Sequence, residues 1–198
     1  MLSLPERTEI SKSIYKKDLL LRFNGTTVQK QKFNEEIESV KIVNELSKRS
    51  LSIPEGKDIK GIFVILVELK TNDISQSTIN TIFDLIHQKI IAVFRFGDKI
   101  KLAIKEEKIF LSEWQDSSYK LTIEGLNLDD IWKSFIEVIG NITISEEQTL
   151  KDAVQISIKN DKLDKEITAL EKKMRNTKTP AKKFDLYNKI QELKNKKE

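Results

Sequence analysis

Two runs, Ile62-Phe63-Val64-Ile65-Leu66-Val67 and Ile90-Ile91-Ala92-Val93-Phe94, decide the fold together with the segment between them. Each is short, unbroken and rich in β-branched or aromatic residues, the pattern of a strand covered on both faces. From Ser75 to Gln88 the apolar residues Ile79, Ile82, Phe83 and Ile86 return at helical spacing. The stretch from Ile59 to Trp114 is therefore expected to hold a strand–helix–strand unit around which the remaining chain packs. Burial of the first run alone is worth on the order of 10 kcal/mol gross.

Working outward, Phe96-Gly97-Asp98-Lys99 reads as a hairpin turn. Ile100, Leu102 and Ile104 then alternate with Lys99, Lys101 and Lys105, giving a strand with one face in the core and the other in water. Tyr119, Leu121 and Ile123 alternate again and predict a last strand. Upstream, Pro54-Glu55-Gly56-Lys57-Asp58 is a turn, and Val40 with Ile42 predicts a half-buried strand before it. A helix is expected from about Val28 to Glu38, with Phe33 and Ile37 inward; residues 1–28 carry mixed signals. The fold class expected is α+β: a mainly antiparallel sheet of about five strands with packed helices, residues 1–144 forming this body.

Asn127 is placed to cap a helix whose first turn holds Asp129 and Asp130, where the helix dipole favours acids. Ile131, Trp132, Phe135, Ile136 and Ile139 form its stripe, and Gly140-Asn141 ends it. Ser145-Glu146-Glu147-Gln148 has capping-box spacing and opens a long helix. From Leu163 through Ile167, Leu170 and Met174 the apolar steps alternate four and three, the seam of a coiled coil. Thr179 and Pro180 start a final helix carrying Leu186, Ile190 and Leu193. Residues 145–198 are thus expected to form a long helix and a C-terminal helical hairpin.

The chain has 198 residues, 38% hydrophobic and 33% charged, without cysteine and with a single histidine, His87. Disulfides, thiolate metal sites and histidine-rich metal centres are excluded. No apolar run is long enough to span a bilayer, and the opening residues lack signal-peptide layout, so a cytoplasmic protein without membrane contact is expected. Residues 161–198 hold 12 Lys+Arg against 7 Asp+Glu, while the rest of the chain is close to neutral. The six glycines are scattered singly, so no phosphate-cradling loop is present.

Three sets of residues are candidates for chemistry. Glu68-Leu69-Lys70 has the acid-x-lysine form of Mg²⁺-dependent restriction-type nucleases, in which the acid ligates the ion and the lysine steadies the attacking water. A hairpin centred on Gly56-Lys57 would set Glu45 opposite Glu68 as the second ligand. A solvated strand end explains the same triplet without any metal, and no other resident cofactor is implied. Leu163, Ile167, Leu170, Met174, Leu186, Ile190 and Leu193 are the candidate partner-binding residues: they can pack on each other and the body, on a second copy in a homodimer, or on another protein. Lys172, Lys173, Lys182 and Lys183 are the candidate nucleic-acid contacts, although acids interleaved along the hairpin argue for an ordinary charged surface. His87 suits a helix end better than a catalytic base, and Trp114 and Trp132 suit the core or its edge.

The opening Leu4-Pro5-Glu6-Arg7-Thr8-Glu9-Ile10-Ser11-Lys12 resembles that of an uncharacterised bacterial family, domain of unknown function 4391. Similar too are the strand ending Glu68-Leu69-Lys70, the segment Ile82 to Val93, the Ser112-Glu113-Trp114 step, Glu124-Gly125-Leu126-Asn127-Leu128, and the closing hairpin. One departure is His87-Gln88-Lys89-Ile90-Ile91, where the family tends to an acid-lysine-alanine-isoleucine-proline run. Members often accompany DNA methyltransferases and helicases in restriction or anti-phage gene clusters. The resemblance therefore implies an accessory or adaptor subunit of a restriction-modification or defence system, with a helicase or DNA methyltransferase as partner. It brings no catalytic residues. A nuclease using Glu45, Glu68 and Lys70, and a nucleic-acid binder acting through the hairpin, are the alternatives.

Overall fold

The computed structural model describes residues 2–145 and 147–197, which divide into two compact units, 1–142 and 143–198. The first is α+β. Its strands are β1 (Glu9–Ile14), β2 (Ile37–Ser47), β3 (Gly61–Leu69), β4 (Ile90–Phe96), β5 (Lys99–Lys105), β6 (Ile109–Leu111) and β7 (Gln115–Asp116). They form one sheet in the order β1-β2-β3-β4-β5-β6, with β7 also pairing β5. Every pairing is antiparallel except β3 with β4, which are parallel and joined by α4 (Gln76–Leu85). The two apolar runs are thus neighbours in the middle of the sheet, each shielded above and below.

Side-chain parity assigns the two faces. Ile65, Val67 and Leu69 share a cluster with Ile90, Ala92, Phe94, Phe33 of α2 (Thr27–Glu36), and Ile79, Ile82 and Phe83 of α4. Leu19 of α1 (Lys16–Arg22) joins the same side. Ile62, Val64 and Leu66 point the other way, where α5 (Leu128–Gly140) contacts β3, β5 and β6 and buries Leu128, Ile131, Trp132, Phe135, Ile136 and Ile139. Asn127 caps α5 as expected, its Oδ1 accepting the N–H groups of Asp129 at 2.9 Å and Asp130 at 3.0 Å. Asn141 closes it in the left-handed region at φ 48°.

The structure differs from the sequence reading in the number and placement of strands. Residues 119–123 are not a strand: Leu121 is buried, yet its N–H donates to the carbonyl of Leu2 at 3.0 Å, not to a sheet neighbour. In exchange β1 forms along the edge, with four of its six side chains in solvent and Ile10 and Ile14 half-buried. Ile37 is buried as expected but is the first residue of β2, not the end of a helix. β2 carries two irregularities, at Glu38 and at Val43. Because an extra residue turns every later side chain to the opposite face, Val40 and Ile42 sit on the α4 side while Asn44 and Leu46 sit on the α5 side. Between β2 and β3 lies no tight hairpin. The short helix α3 (Lys48–Leu51) and a loop intervene, and the register pairs Leu46 with Ile62.

The second unit is a helical hairpin of α6 (Leu150–Asn176) and α7 (Pro180–Asn195). The expected Ser145–Gln148 capping box is not what starts α6, and Glu146 of that run lies outside the described residues. The box is Thr149 with Asp152: Thr149 Oγ1 accepts the Asp152 N–H at 3.2 Å, and Asp152 Oδ2 accepts the Thr149 N–H at 3.3 Å. Ile167, Ile190 and Leu193 are buried together, with Leu163, Leu170 and Met174 packed on them. No helix among the described residues is long and apolar enough to cross a membrane.

Candidate functional site

The acid-x-lysine triplet is taken apart by the observed register. Glu45 pairs with Phe63, and Glu68 pairs with Ser39. Five residues of β3 separate the two acids, roughly 17 Å at strand rise. That interval is odd, so their side chains leave opposite faces of the sheet. Direct Mg²⁺ bonds of ~2.0–2.1 Å from both are therefore ruled out. Glu68 instead grips Arg95, its register partner on β4: Arg95 Nε donates to Glu68 Oε2 at 2.9 Å, and Arg95 Nη2 donates to Oε1. The hydrogen bond with Glu68 raises the Arg95 pKa above its ordinary value, burial working against it.

Lys70 turns away from Glu68. Its Nζ donates to the carbonyl of Asn34 at 2.8 Å, while Lys16 Nζ donates to that of Ile37 at 2.7 Å. Both ammonium groups therefore satisfy carbonyls at the C-terminal end of α2, where the helix dipole favours cations. Desolvation lowers the Lys16 pKa, the charge of Lys70 adds to that, and Glu38 opposes it. These residues do not fit a catalytic metal centre, and among the described residues no group of three or more His, Asp or Glu side chains could hold an ion. His87 is exposed just beyond α4. The tryptophans, read alike from sequence, differ: Trp132 is buried and donates from Nε1 to Glu106 Oε2 at 2.8 Å, whereas Trp114 is half-buried.

In the hairpin, six of the seven residues proposed for partner docking are drawn into its own interior. Ile167, Ile190 and Leu193 are closed off, Leu163, Leu170 and Met174 pack on them, and Leu186 is half-buried. What α7 leaves in solvent is a second stripe, Phe184 at 64% exposure and Tyr187 at 51%. They stand three residues apart and so share a face.

The charges sort themselves along the hairpin. On its shaft Lys197 pairs with Asp164 at 2.7 Å, Lys194 with Glu171 at 3.4 Å, and Lys189 with Glu166 at 3.5 Å. At its tip, residues 172–183 hold six cations and no acid: Lys172, Lys173, Arg175, Lys178, Lys182 and Lys183. All six are exposed, and among the described residues none is in an ion pair. The end of α7 adds to this. It has no acid in its first turn, Pro180 stands at its start, and the Thr179 side chain makes no capping bond. Free N–H groups at a helix N-terminus flanked by lysines are an arrangement that receives anions. Lys178 also carries the charge that could follow a phosphate backbone, whereas Arg175 escapes a reading that counts the hairpin's lysines; the signal that finds it is the acid-free run itself.

Residues 2–196 match the family described as a domain of unknown function (DUF4391). No curated protein and no solved structure matches the chain.

Proposed function

The chain belongs to the DUF4391 family, and from that premise we propose that it is a non-catalytic accessory subunit that holds nucleic acid with the tip of its C-terminal hairpin. In this reading it works in the bacterial cytoplasm beside a helicase or DNA methyltransferase of a restriction or anti-phage defence assembly. The observation that carries the proposal is the tip: six cations with no acid among them and, among the described residues, in no ion pair, around a helix N-terminus without a side-chain cap, on a hairpin whose shaft holds three ion pairs. Phe184 and Tyr187 beside it offer surfaces on which bases can stack. The resemblance to a family whose members often accompany DNA methyltransferases and helicases supports the setting.

The test is a salt titration of duplex DNA binding, read by fluorescence anisotropy. Six phosphate contacts imply a log–log slope of about −5, hence roughly a thousandfold loss of affinity between 50 and 200 mM salt. Replacing Lys172, Lys173, Lys182 and Lys183 with alanine leaves two contacts, for which the same salt interval costs about tenfold. An unchanged slope in that variant, or no binding by the native chain at 50 mM salt, removes the tip from the proposal. Co-purification with the product of a neighbouring helicase or methyltransferase gene tests the assembly role.

A further inference from the structure

Where β3 and β4 end, the chain leaves a pocket of about 440 Å³ lined by Asn72, Phe96, Lys99 and Trp114. We propose that this pocket binds a nucleotide, with the base laid against its aromatic wall and the phosphate held by Lys99. The volume lies within the range of small-molecule sites, and the lining is mainly apolar with a few polar groups to orient a ligand.

Each lining residue has a reason to be where it is. Phe96 is the last residue of β4, and its cross-strand partner is Lys99, so an aryl ring and an ammonium stand side by side on one face of the β4–β5 hairpin. Phe96 is 39% exposed although its neighbour Phe94 is fully buried. Trp114 follows β6, rests on the core cluster of the α4 face, and keeps part of its surface open. Lys101, two residues from Lys99 and hence on the same face, holds its Nζ 5.6 Å from the centroid of that indole. Asn72, in the loop after β3, brings a carboxamide that both donates and accepts, as a base edge requires. Lys99 is the charged residue of the lining and is exposed. Asp116 faces it across β5 and β7, and after the hydrogen bonds with Ser118 the charge of Lys99 helps to hold the Asp116 carboxyl below its ordinary value, while among the described residues no ion pair at contact distance engages Lys99. A flat apolar wall, one amide and one exposed ammonium are the recognition chemistry of a base bearing a phosphate.

That chemistry has two sources, a free mononucleotide or a base within a single strand. Tryptophan fluorescence separates them, because Trp132 is 1% exposed and Trp114 is the accessible reporter of the two tryptophans. The full chain is used with all six tip cations, Lys172, Lys173, Arg175, Lys178, Lys182 and Lys183, already changed to alanine, so the hairpin tip offers no cationic phosphate contact and the two proposals fail separately. Adenosine monophosphate and a short oligo-deoxyadenylate are titrated, up to about 1 mM nucleotide. Quenching by the mononucleotide assigns a free nucleotide, and quenching by the oligomer alone assigns a single strand. In either case Phe96→Ala and Lys99→Ala, both at the surface, weaken binding by about tenfold or more, and Trp114→Phe abolishes the signal. No quenching by either probe, or quenching that survives both surface variants, overturns the proposal.

Discussion

Asp129→Asn tests how the body is tied together at the head of α5. The Asp129 carboxylate accepts the backbone N–H groups of Lys57 at 2.7 Å, Ile59 at 2.9 Å and Asp58 at 3.3 Å, joining the loop before β3 to the helix. Gly56 makes room for it: a Cβ there would meet Asp129 Oδ1 at 2.0 Å. The asparagine is nearly isosteric, so no cavity opens, but it loses the charge and turns an NH₂ toward backbone donors. A hydrogen bond to a charged acceptor contributes about 1.5–3 kcal/mol when shielded and less when water can replace it. The Ile59 bond is partly buried and the other two are exposed, which gives about 2–3 kcal/mol in all. For a unit of this size that is a fall in Tm of roughly 6–9 °C. Tryptophan fluorescence follows the body alone, because Trp114 and Trp132 both lie in residues 1–142. Asp130→Asn is the control. Its carboxylate serves only the helix end, accepting Asn127 Nδ2 at 2.7 Å and the Leu126 N–H at 3.2 Å, so it costs about 0.5 kcal/mol. Equal effects of the two substitutions would refute the tether.

Glu68→Gln is expected to cost the body about 1 kcal/mol by leaving Arg95 without its anion, both side chains being partly solvated. Mg²⁺ leaves the native Tm unchanged; a Mg²⁺-dependent rise that the variant loses would restore the nuclease reading. Ile190→Ala opens the hairpin seam at a cost of about 2–4 kcal/mol, lowering helical circular dichroism while the tryptophan transition stays put; unaltered dichroism would contradict the seam. Lys16, whose pKa is lowered on folding chiefly by desolvation, binds its proton more tightly when unfolded. Stability therefore rises with pH between the folded value and the ordinary 10.5, and Lys16→Met flattens that slope in urea titrations across the alkaline range. Lys182→Glu with Lys183→Glu should strengthen the hairpin by about 0.3–1 kcal/mol per residue, since acids suit a helix N-terminus, while abolishing duplex binding. Binding that persists would detach the lysines from function.

What could be read from the sequence was set by how far each signal reaches. The two apolar runs, the helix between them and α5 are local patterns with strong burial, and they stand where periodicity put them. β1 carries its pairing in the backbone, and its Lys12 and Ser13 side chains face water, so period-two hydrophobicity had nothing to register. The alternation of Tyr119, Leu121 and Ile123 was real in burial at Leu121 but found no neighbouring strand to join. Register was the least legible quantity. The turn chemistry of Pro54 to Asp58 is genuine, yet its backbone is engaged by Asp129 from seventy residues further on, and α3 takes up the chain that a tight hairpin would have shared out. One extra residue at Val43 then reversed the faces. A pairing of Glu45 with Glu68 cannot survive such a shift, because parity alone decides which side of a sheet an acid occupies.

The hairpin shows the same limit from the opposite direction. Its apolar residues do pack together, but sequence cannot say whether two stripes close on each other or on a partner; only the helix pairing decides that. Once the stripes close, the remaining surface is governed by charge, and there local preference and placement part. Cations at the end of α6 agree with its dipole, whereas Lys182 and Lys183 stand in the first turns of α7 against its dipole. A chain selected for helix stability alone would place acids there, as it does with Asp129 and Asp130 in α5. Solubility does not require the choice, since the shaft shows three positions where a lysine meets an acid. A locally unfavourable charge, repeated and gathered at one end of the hairpin, is the arrangement on which the proposed nucleic-acid contact rests.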